Sequence, residues 1–159
     1  MTSDNSAATL DFSVVVPVFD EGGAAPALAR EIAAAFVGES YEMIFVDDAS
    51  RDDTKSLLTQ LKAEIPQLRV LGHRNNSGQS RSIRSGILAA RAPIVVTMDG
   101  DGQNDPADAP RLARALQAGP AELALVGGER VKRQDSNAKR FASKFGNGVR
   151  KRLLKDTAN

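Results

Sequence analysis

The chain contains no cysteine and no tryptophan, one histidine and one tyrosine. Without cysteine there is no disulfide, no thiolate metal site and no cysteine nucleophile. A single histidine, His73, also excludes a multi-histidine metal centre. No apolar run approaches the roughly 20 residues that span a bilayer, and the polar Met1–Asp11 stretch lacks the apolar core of a secretion signal. The expectation is a soluble, cytoplasmic chain. A G-x-G-x-x-G phosphate turn is missing as well. The first apolar run ends instead in Pro17-Val18-Phe19-Asp20-Glu21-Gly22-Gly23, which argues against a dinucleotide-binding dehydrogenase.

At 159 residues there is one domain's worth of chain, long enough to bury a core. The net charge of +1 hides an asymmetry. Between Arg130 and Lys155 stand ten Lys or Arg against one acid, Asp135, so the rest of the chain is acidic. A basic segment on an acidic body implies a polyanionic partner at that end.

Apolar runs and helical periodicities alternate. Phe12–Val18 reads as a buried strand, and Ala24–Phe36 as a helix with Leu28, Ile32 and Phe36 on one face. Tyr41–Val46 is a second strand ending in Asp47-Asp48-Ala49-Ser50. Asp52 or Asp53 then caps a helix whose stripe is Leu57, Leu58, Leu61 and Ile65. Leu68–Leu71 gives a third strand, followed by the polar loop His73–Ser80 and a helix to about Ala90 with Ile83 and Ile87 inward. Ile94–Met98 is a fourth strand, without polar alternation and so expected to be buried on both faces. Pro106–Gln117 is a helix and Glu122–Val126 a fifth strand. Strand and helix alternate with short connections, so the fold class is α/β, a mostly parallel sheet flanked by helices in a Rossmann-like arrangement.

The most informative stretch is Met98-Asp99-Gly100-Asp101-Gly102-Gln103-Asn104-Asp105-Pro106. Asp105 reads as a helix cap with Pro106 in the first turn. Asp99 and Asp101 therefore leave the C-terminal end of a strand, where open α/β sheets place ligands. One residue apart, they aim at a common point, and Gln103 adds an oxygen. Such hard ligands, completed by phosphate, suit Mg²⁺ or Mn²⁺.

Four strand-end motifs stand in register: V-V-V-P-V-F-D-E, F-V-D-D-A-S-R-D-D-T, M-D-G-D-G-Q-N-D-P and G-G-E-R. Together they resemble the family-2 glycosyltransferases of the GT-A nucleotide-sugar-binding fold. With N-N-S-G-Q-S and R-Q-D-S-N-A-K-R-F-A-S-K-F-G-N, the chain looks like their polyprenyl-phosphate, dolichol-phosphate mannosyltransferase-like branch, over Phe12 to Asn159. The resemblance implies an inverting, metal-dependent hexosyltransferase of the cell envelope, moving a sugar from a UDP- or GDP-sugar to a polyprenyl phosphate. It implies roles for Pro17, Asp20 and Glu21 beside the nucleotide, and for Asp47 and Asp48 at base and ribose. Asp99, Asp101 and Gln103 would hold the metal on the donor diphosphate, with Asp101 and Arg130 at the reaction centre. Arg130, Lys139, Arg140 and Ser143 would grip the acceptor phosphate. Two positions depart from the family pattern: Asp20 stands where Asn is usual, and Ala49 where Gly is usual.

The chemistry is consistent with a chain short of histidine and cysteine. A polyprenyl phosphate is largely ionised near neutral pH, so the acceptor needs positioning by Arg and Lys and no strong base. The acidic pairs can alternatively cap helices, and His73 reads as a loop residue. A phosphotransfer receiver would carry its acids after the first strand, whereas here they follow the second and fourth. Two other readings are a family-2 transferase acting on a saccharide acceptor in cell-envelope polysaccharide synthesis and a non-catalytic nucleotide or nucleic-acid binding module.

The expected organisation is a disordered N-terminus over residues 1–11, a GT-A domain over 12–130, and a basic acceptor-side segment over 131–159. In that last segment Phe141, Phe145, Val149 and Leu153 recur every four residues between cations, a basic amphipathic helix. Lacking Tyr, Trp or His interleaved for base stacking, it points to an anionic membrane at the cytoplasmic face of the inner membrane; no nucleic acid is expected. The helix ends without a capping glycine or a return strand, so the chain is expected to be a C-terminally truncated part of a longer protein. Arg130→Ala, or Lys139→Ala with Arg140→Ala, should raise the acceptor KM or lower kcat roughly ten- to a hundredfold, the loss of a charge-assisted phosphate contact. Donor affinity should stay nearly unchanged; steady-state kinetics with each substrate varied separately checks this.

Overall fold

The computed structural model describes residues 9–128. The chain divides into Met1–Gly127 and Gly128–Asn159, and every described strand and helix lies in the first unit. Arg130, Lys139, Arg140, Ser143 and the amphipathic helix expected from Ala138 lie outside the described residues, as does most of the N-terminal stretch.

Strand β1 (Phe12–Val18) is buried along all seven residues, as a run apolar on both faces requires. It pairs in parallel with β2 (Tyr41–Asp47) on one side and β4 (Ile94–Thr97) on the other; β3 (Leu68–Gly72) pairs with β2. The order is β3-β2-β1-β4. On one face, Val14, Val16, Met43 and Phe45 join Leu28 and Ile32 of α1 (Ala25–Ala35), Leu58 and Leu61 of α2 (Thr54–Leu61), and Ala109 and Ala113 of α4 (Ala109–Gln117) in one core. Helix α3 (Gln79–Ala89) packs against β1 and β2, meeting Val15 and Val46 at Gly86.

Helix starts follow the sequence signals. Pro26 sits in the first turn of α1. At α2 the Asp52 carboxylate accepts from the Thr54 amide at 3.0 Å, while Asp53 makes no side-chain cap bond. Asp105 accepts from the Ala107 amide at 2.9 Å with Pro106 opening a single 3-10 turn, Pro106–Asp108, ahead of α4.

Three expectations are corrected. Helix α3 turns Ser82 and Gly86 inward, leaving Ile83 half-buried and Ile87 exposed. A Cβ on Gly86 would lie 2.3 Å from Val15 Cγ1, so only the small-residue face lets the helix backbone approach the sheet. Strand β4 is half-exposed: Ile94 and Val96 pack on the core, but the strand pairs only with β1 among the described residues. Glu122–Val126 forms no strand and is mostly exposed. Only Val126 in that segment is β-branched, and Glu, Leu and Ala have little preference for a pleated surface.

At the N-terminal ends of the strands, buried Glu42 accepts from the Ser13 hydroxyl and the Arg91 amide, both at 2.8 Å, and pairs with Arg69. Arg69 also donates to the Ala89 carbonyl at 3.0 Å, and the Ala92 amide donates to Ser13 Oγ at 3.1 Å. The cluster ties the turn between α3 and β4 to the sheet. Burial pushes the Glu42 carboxyl up, but Arg69, Ser13 and the Arg91 amide outweigh it, holding it below its ordinary value. A depressed carboxylate stabilises the fold above its unfolded pKa and loses that contribution as pH falls through the folded one. Urea midpoints should therefore fall as pH drops below the usual glutamate range near 4.5. Glu42→Gln should cost about 2–3 kcal/mol at neutral pH and show a shallower acid limb.

Candidate functional site

The strand order reverses at β1: β2 and β3 are laid down on one side, and β4 returns to the other. The C-terminal ends at such a switch point leave a crevice, because adjacent connections run to opposite sides. A cleft of about 390 Å³ occupies this place. Pro17, Phe19 and Glu21 enter it from the end of β1, and Asp48 from the end of β2. Asn76 and Gln79 come from the segment after β3, and Asp99 and Asp101 from the end of β4.

Asp20 does not line the cleft. Its backbone sits at φ 54°, a left-handed conformation that Asp tolerates. Its amide donates to Ser50 Oγ at 3.0 Å, and its carboxylate accepts from the Arg51 amide at 2.7 Å and pairs with the Arg51 guanidinium. Arg51 holds the Asp20 carboxyl below its ordinary value and stacks 5.1 Å above the Phe19 ring. The charge that Asp20 adds, where the resembled family has Asn, is thus met by the neighbouring loop. The Glu21 amide bonds Thr54 Oγ1 at 2.9 Å, so the β1 loop is carried by the start of α2.

Asp47 and Asp48 are adjacent, both buried, and differently employed. Asp47 is 2% exposed, accepts from the Ser50 amide at 3.2 Å and stays out of the cleft. Ala49 beside them has φ 62°, a conformation costing an L-residue about 1–2 kcal/mol, where the family's glycine would be unstrained.

Asp48 is 3% exposed. It accepts from the Ser77 amide at 2.9 Å, the Gly78 amide at 2.7 Å and His73 Nδ1 at 2.7 Å. Burial pushes its carboxyl up, and His73 with the two amides more than compensates, leaving it lowered. A carboxylate only accepts, which puts the proton on Nδ1 and leaves Nε2 for the Ser85 hydroxyl at 2.9 Å. The expected loop histidine is therefore a strut between a buried acid and α3. It was absent from the candidate residues because nothing in the sequence shows that residues 48, 73 and 85 meet.

At the end of β4, a Cβ on Gly100 would fall 2.5 Å from the Pro17 carbonyl oxygen. Glycine lets this turn lie against β1 with Asp99 and Asp101 on the cleft. Gln79 Nε2 donates to Asp99 Oδ1 at 2.7 Å, and the Gln103 amide donates to Asp101 Oδ1 at 3.0 Å. Gln103 is exposed and does not line the cleft. No group of three or more His, Cys, Asp or Glu among the described residues is arranged to hold a metal. Two carboxylates on an open cleft nonetheless fit a hard divalent cation that keeps waters and completes its shell with substrate phosphate. Gln79 escaped the sequence reading, although Gly78-Gln79 opens a helix at the same sheet edge as the acidic turns.

Comparisons with known proteins converge on one kind of molecule. The model of the glycosyl transferase family 2 matches residues 13–158. An undecaprenyl-phosphate 4-deoxy-4-formamido-L-arabinose transferase of Shewanella sediminis is 36% identical over 90% of this chain and 44% of its own length. A dodecaprenyl-phosphate galacturonate synthase of Rhizobium johnstonii is 38% identical over 80% of this chain and 38% of its own. The chain thus spans about two fifths of the curated relatives it matches. Among solved structures, glucosyl-3-phosphoglycerate synthase of Mycobacterium tuberculosis, in complex with Mn²⁺, UDP and phosphoglyceric acid, superposes with a TM-score of 0.55. That match has 24% identity and covers 69% of this chain and 40% of that one. The fold is GT-A.

His73→Ala should remove the side-chain donor from Asp48 and the tie to Ser85. The expected cost is about 1–3 kcal/mol. The Ser77 and Gly78 amides should exchange with solvent at least about tenfold faster, which urea denaturation and hydrogen exchange read out.

Proposed function

This chain belongs to glycosyl transferase family 2, and on that premise we propose that it carries the donor-binding part of an enzyme moving a sugar from a nucleotide-sugar to a polyprenyl phosphate. The observation that carries this reading is the cleft at the switch point, which gathers Asp48, Asp99 and Asp101 from three strand ends. The two relatives above share a polyprenyl phosphate in their names and differ in the sugar, which supports the acceptor class and leaves the sugar open.

In this reading the nucleotide enters between the β1 loop and Asp48, with Pro17, Phe19 and Glu21 along it, and the diphosphate runs toward the turn after β4. Asp99 and Asp101 would hold a Mg²⁺ or Mn²⁺ ion, with Gln103 as the candidate third oxygen. A cation held there would supply charge stabilisation for the departing diphosphate. Gln79 fixes one oxygen of Asp99, a hydrogen bond of the kind that orients a metal-binding carboxylate. Arg130, with Lys139, Arg140 and Ser143, positions the acceptor phosphate, whose ionised oxygen attacks without a general base. In-line attack inverts the anomeric carbon. The site works at the cytoplasmic face of the inner membrane, where polyprenyl phosphate is embedded.

Asp101→Asn tests the reading, because Asn preserves the acceptor for the Gln103 amide while removing the charge. Metal-dependent turnover with UDP- and GDP-sugars and polyprenyl phosphate should fall at least about a hundredfold, the scale on which a transition-state electrostatic contact acts. The unfolding free energy from urea denaturation should change by no more than about 0.5 kcal/mol, as for an exposed site. Undiminished metal-dependent turnover would place the reaction centre elsewhere.

A further inference from the structure

Nine arginines fall among the described residues. Five are in ion pairs: Arg30 with Glu64, Arg51 with Asp20, Arg69 with Glu42, Arg111 with Asp108 and Arg114 with Glu39. The other four, Arg74, Arg81, Arg84 and Arg91, make no ion pair with a described residue, and all four are exposed. They are contiguous in the chain, which has no Asp or Glu from Ile65 to Met98.

Tertiary packing turns this composition into a surface. Helix α3 meets the sheet through Ser82 and Gly86, so at about 100° per residue its outward arc is Ser80, Arg81, Arg84, Ile87 and Leu88. All five are exposed, with Ile87 at 45% and Leu88 at 68%. Arg81 and Arg84 are helix neighbours of like charge, an arrangement that costs an isolated helix stability. No acidic side chain among the described residues pairs with either to recover that cost. An anionic surface recovers it, through charge-assisted bonds to its phosphates.

We propose that the outer face of α3 docks the domain on an anionic lipid bilayer. Arg81 and Arg84 engage lipid phosphates, Ile87 and Leu88 enter the boundary between headgroups and acyl chains, and Arg74 and Arg91 flank them in sequence. A lipid surface is favoured over nucleic acid because no Phe, Tyr or Trp lies between Ile65 and Met98 to stack on a base. Gly78 and Gln79, where α3 begins, line the cleft. Where the polyprenyl-phosphate reading holds, a bilayer along α3 therefore borders the cleft from which the sugar is transferred.

Absence of native cysteine makes a local readout simple. An environment-sensitive fluorophore is attached in the 159-residue chain at Leu88→Cys or, as a control beyond the end of α1, at Val37→Cys, where the native side chain is 78% exposed. With vesicles of phosphatidylcholine plus phosphatidylglycerol, the label at 88 should shift to the blue and the label at 37 should not. Pure phosphatidylcholine should shift neither. Arg81→Gln with Arg84→Gln should lower the partition coefficient about thirtyfold. Binding through Arg130–Lys155 alone would leave the label at 88 unshifted and the double variant unaffected, which overturns the proposal. So would equal shifts at 37 and 88, a shift at 88 produced by oligonucleotide instead of lipid, or one that grows with protein concentration without lipid. No sugar transfer enters the assay, so a failed transferase reading leaves its result standing.

Discussion

Seven consecutive residues with no polar alternation, Phe12–Val18, must be covered on both faces and paired on both edges before anything else in this domain can be placed. Strands β2 and β4 supply the edges, and α3 and the α1, α2 and α4 layer supply the faces. Since β1 pairs with β4 as well as β2, its end is also where the strand order reverses. The same constraint that builds the core therefore opens the cleft, and the loops after β1 and β4 become its two walls. Gly100 marks how close the walls stand, with no space for a side chain against the Pro17 carbonyl.

Within the cleft a second constraint operates, the cost of a buried carboxylate. Asp48 is held by His73 and the Ser77 and Gly78 amides, and meeting those bonds gives the loop after β3 its path. Gly78, at φ 87°, then releases the chain into α3 with Gln79 at the cleft and against Asp99. One segment thus touches both Asp48 and Asp99. The chain that satisfies Asp48 is the chain that bonds Asp99, which couples the two ends of the cleft through ordinary hydrogen bonds.

Electrostatics divides the same helix between two tasks. Its inner face carries no charge, because Ser82 and Gly86 lie against the sheet. Its outer face carries Arg81 and Arg84, which with Arg74 and Arg91 are the described arginines that form no ion pair with a described residue, while the other five have acidic partners. The acidic turns at the cleft and the basic helix beside it place opposite fields on neighbouring surfaces, suited to a cation with a diphosphate on one and lipid phosphates on the other.

Much of this was legible in the residues themselves. Continuous apolar runs set the first two strands, Asp105-Pro106 marked a helix start, and the D-G-D turn lies at the strand end that borders the cleft, because burial periodicity and capping chemistry are local. The family resemblance was legible too, since it rests on motifs in order along the chain. Tertiary structure alone decided that Asp20 pairs with Arg51 while Asp48 faces the cleft, that His73 bridges Asp48 to Ser85, and that α3 turns Gly86 inward in place of Ile87. Each depends on which distant segments meet, and hydrophobic periodicity cannot register a close backbone approach in which the smallest side chain is the one buried. Glu122–Val126 shows the converse limit. Apolar composition alone does not make a strand when few of its residues favour the pleat.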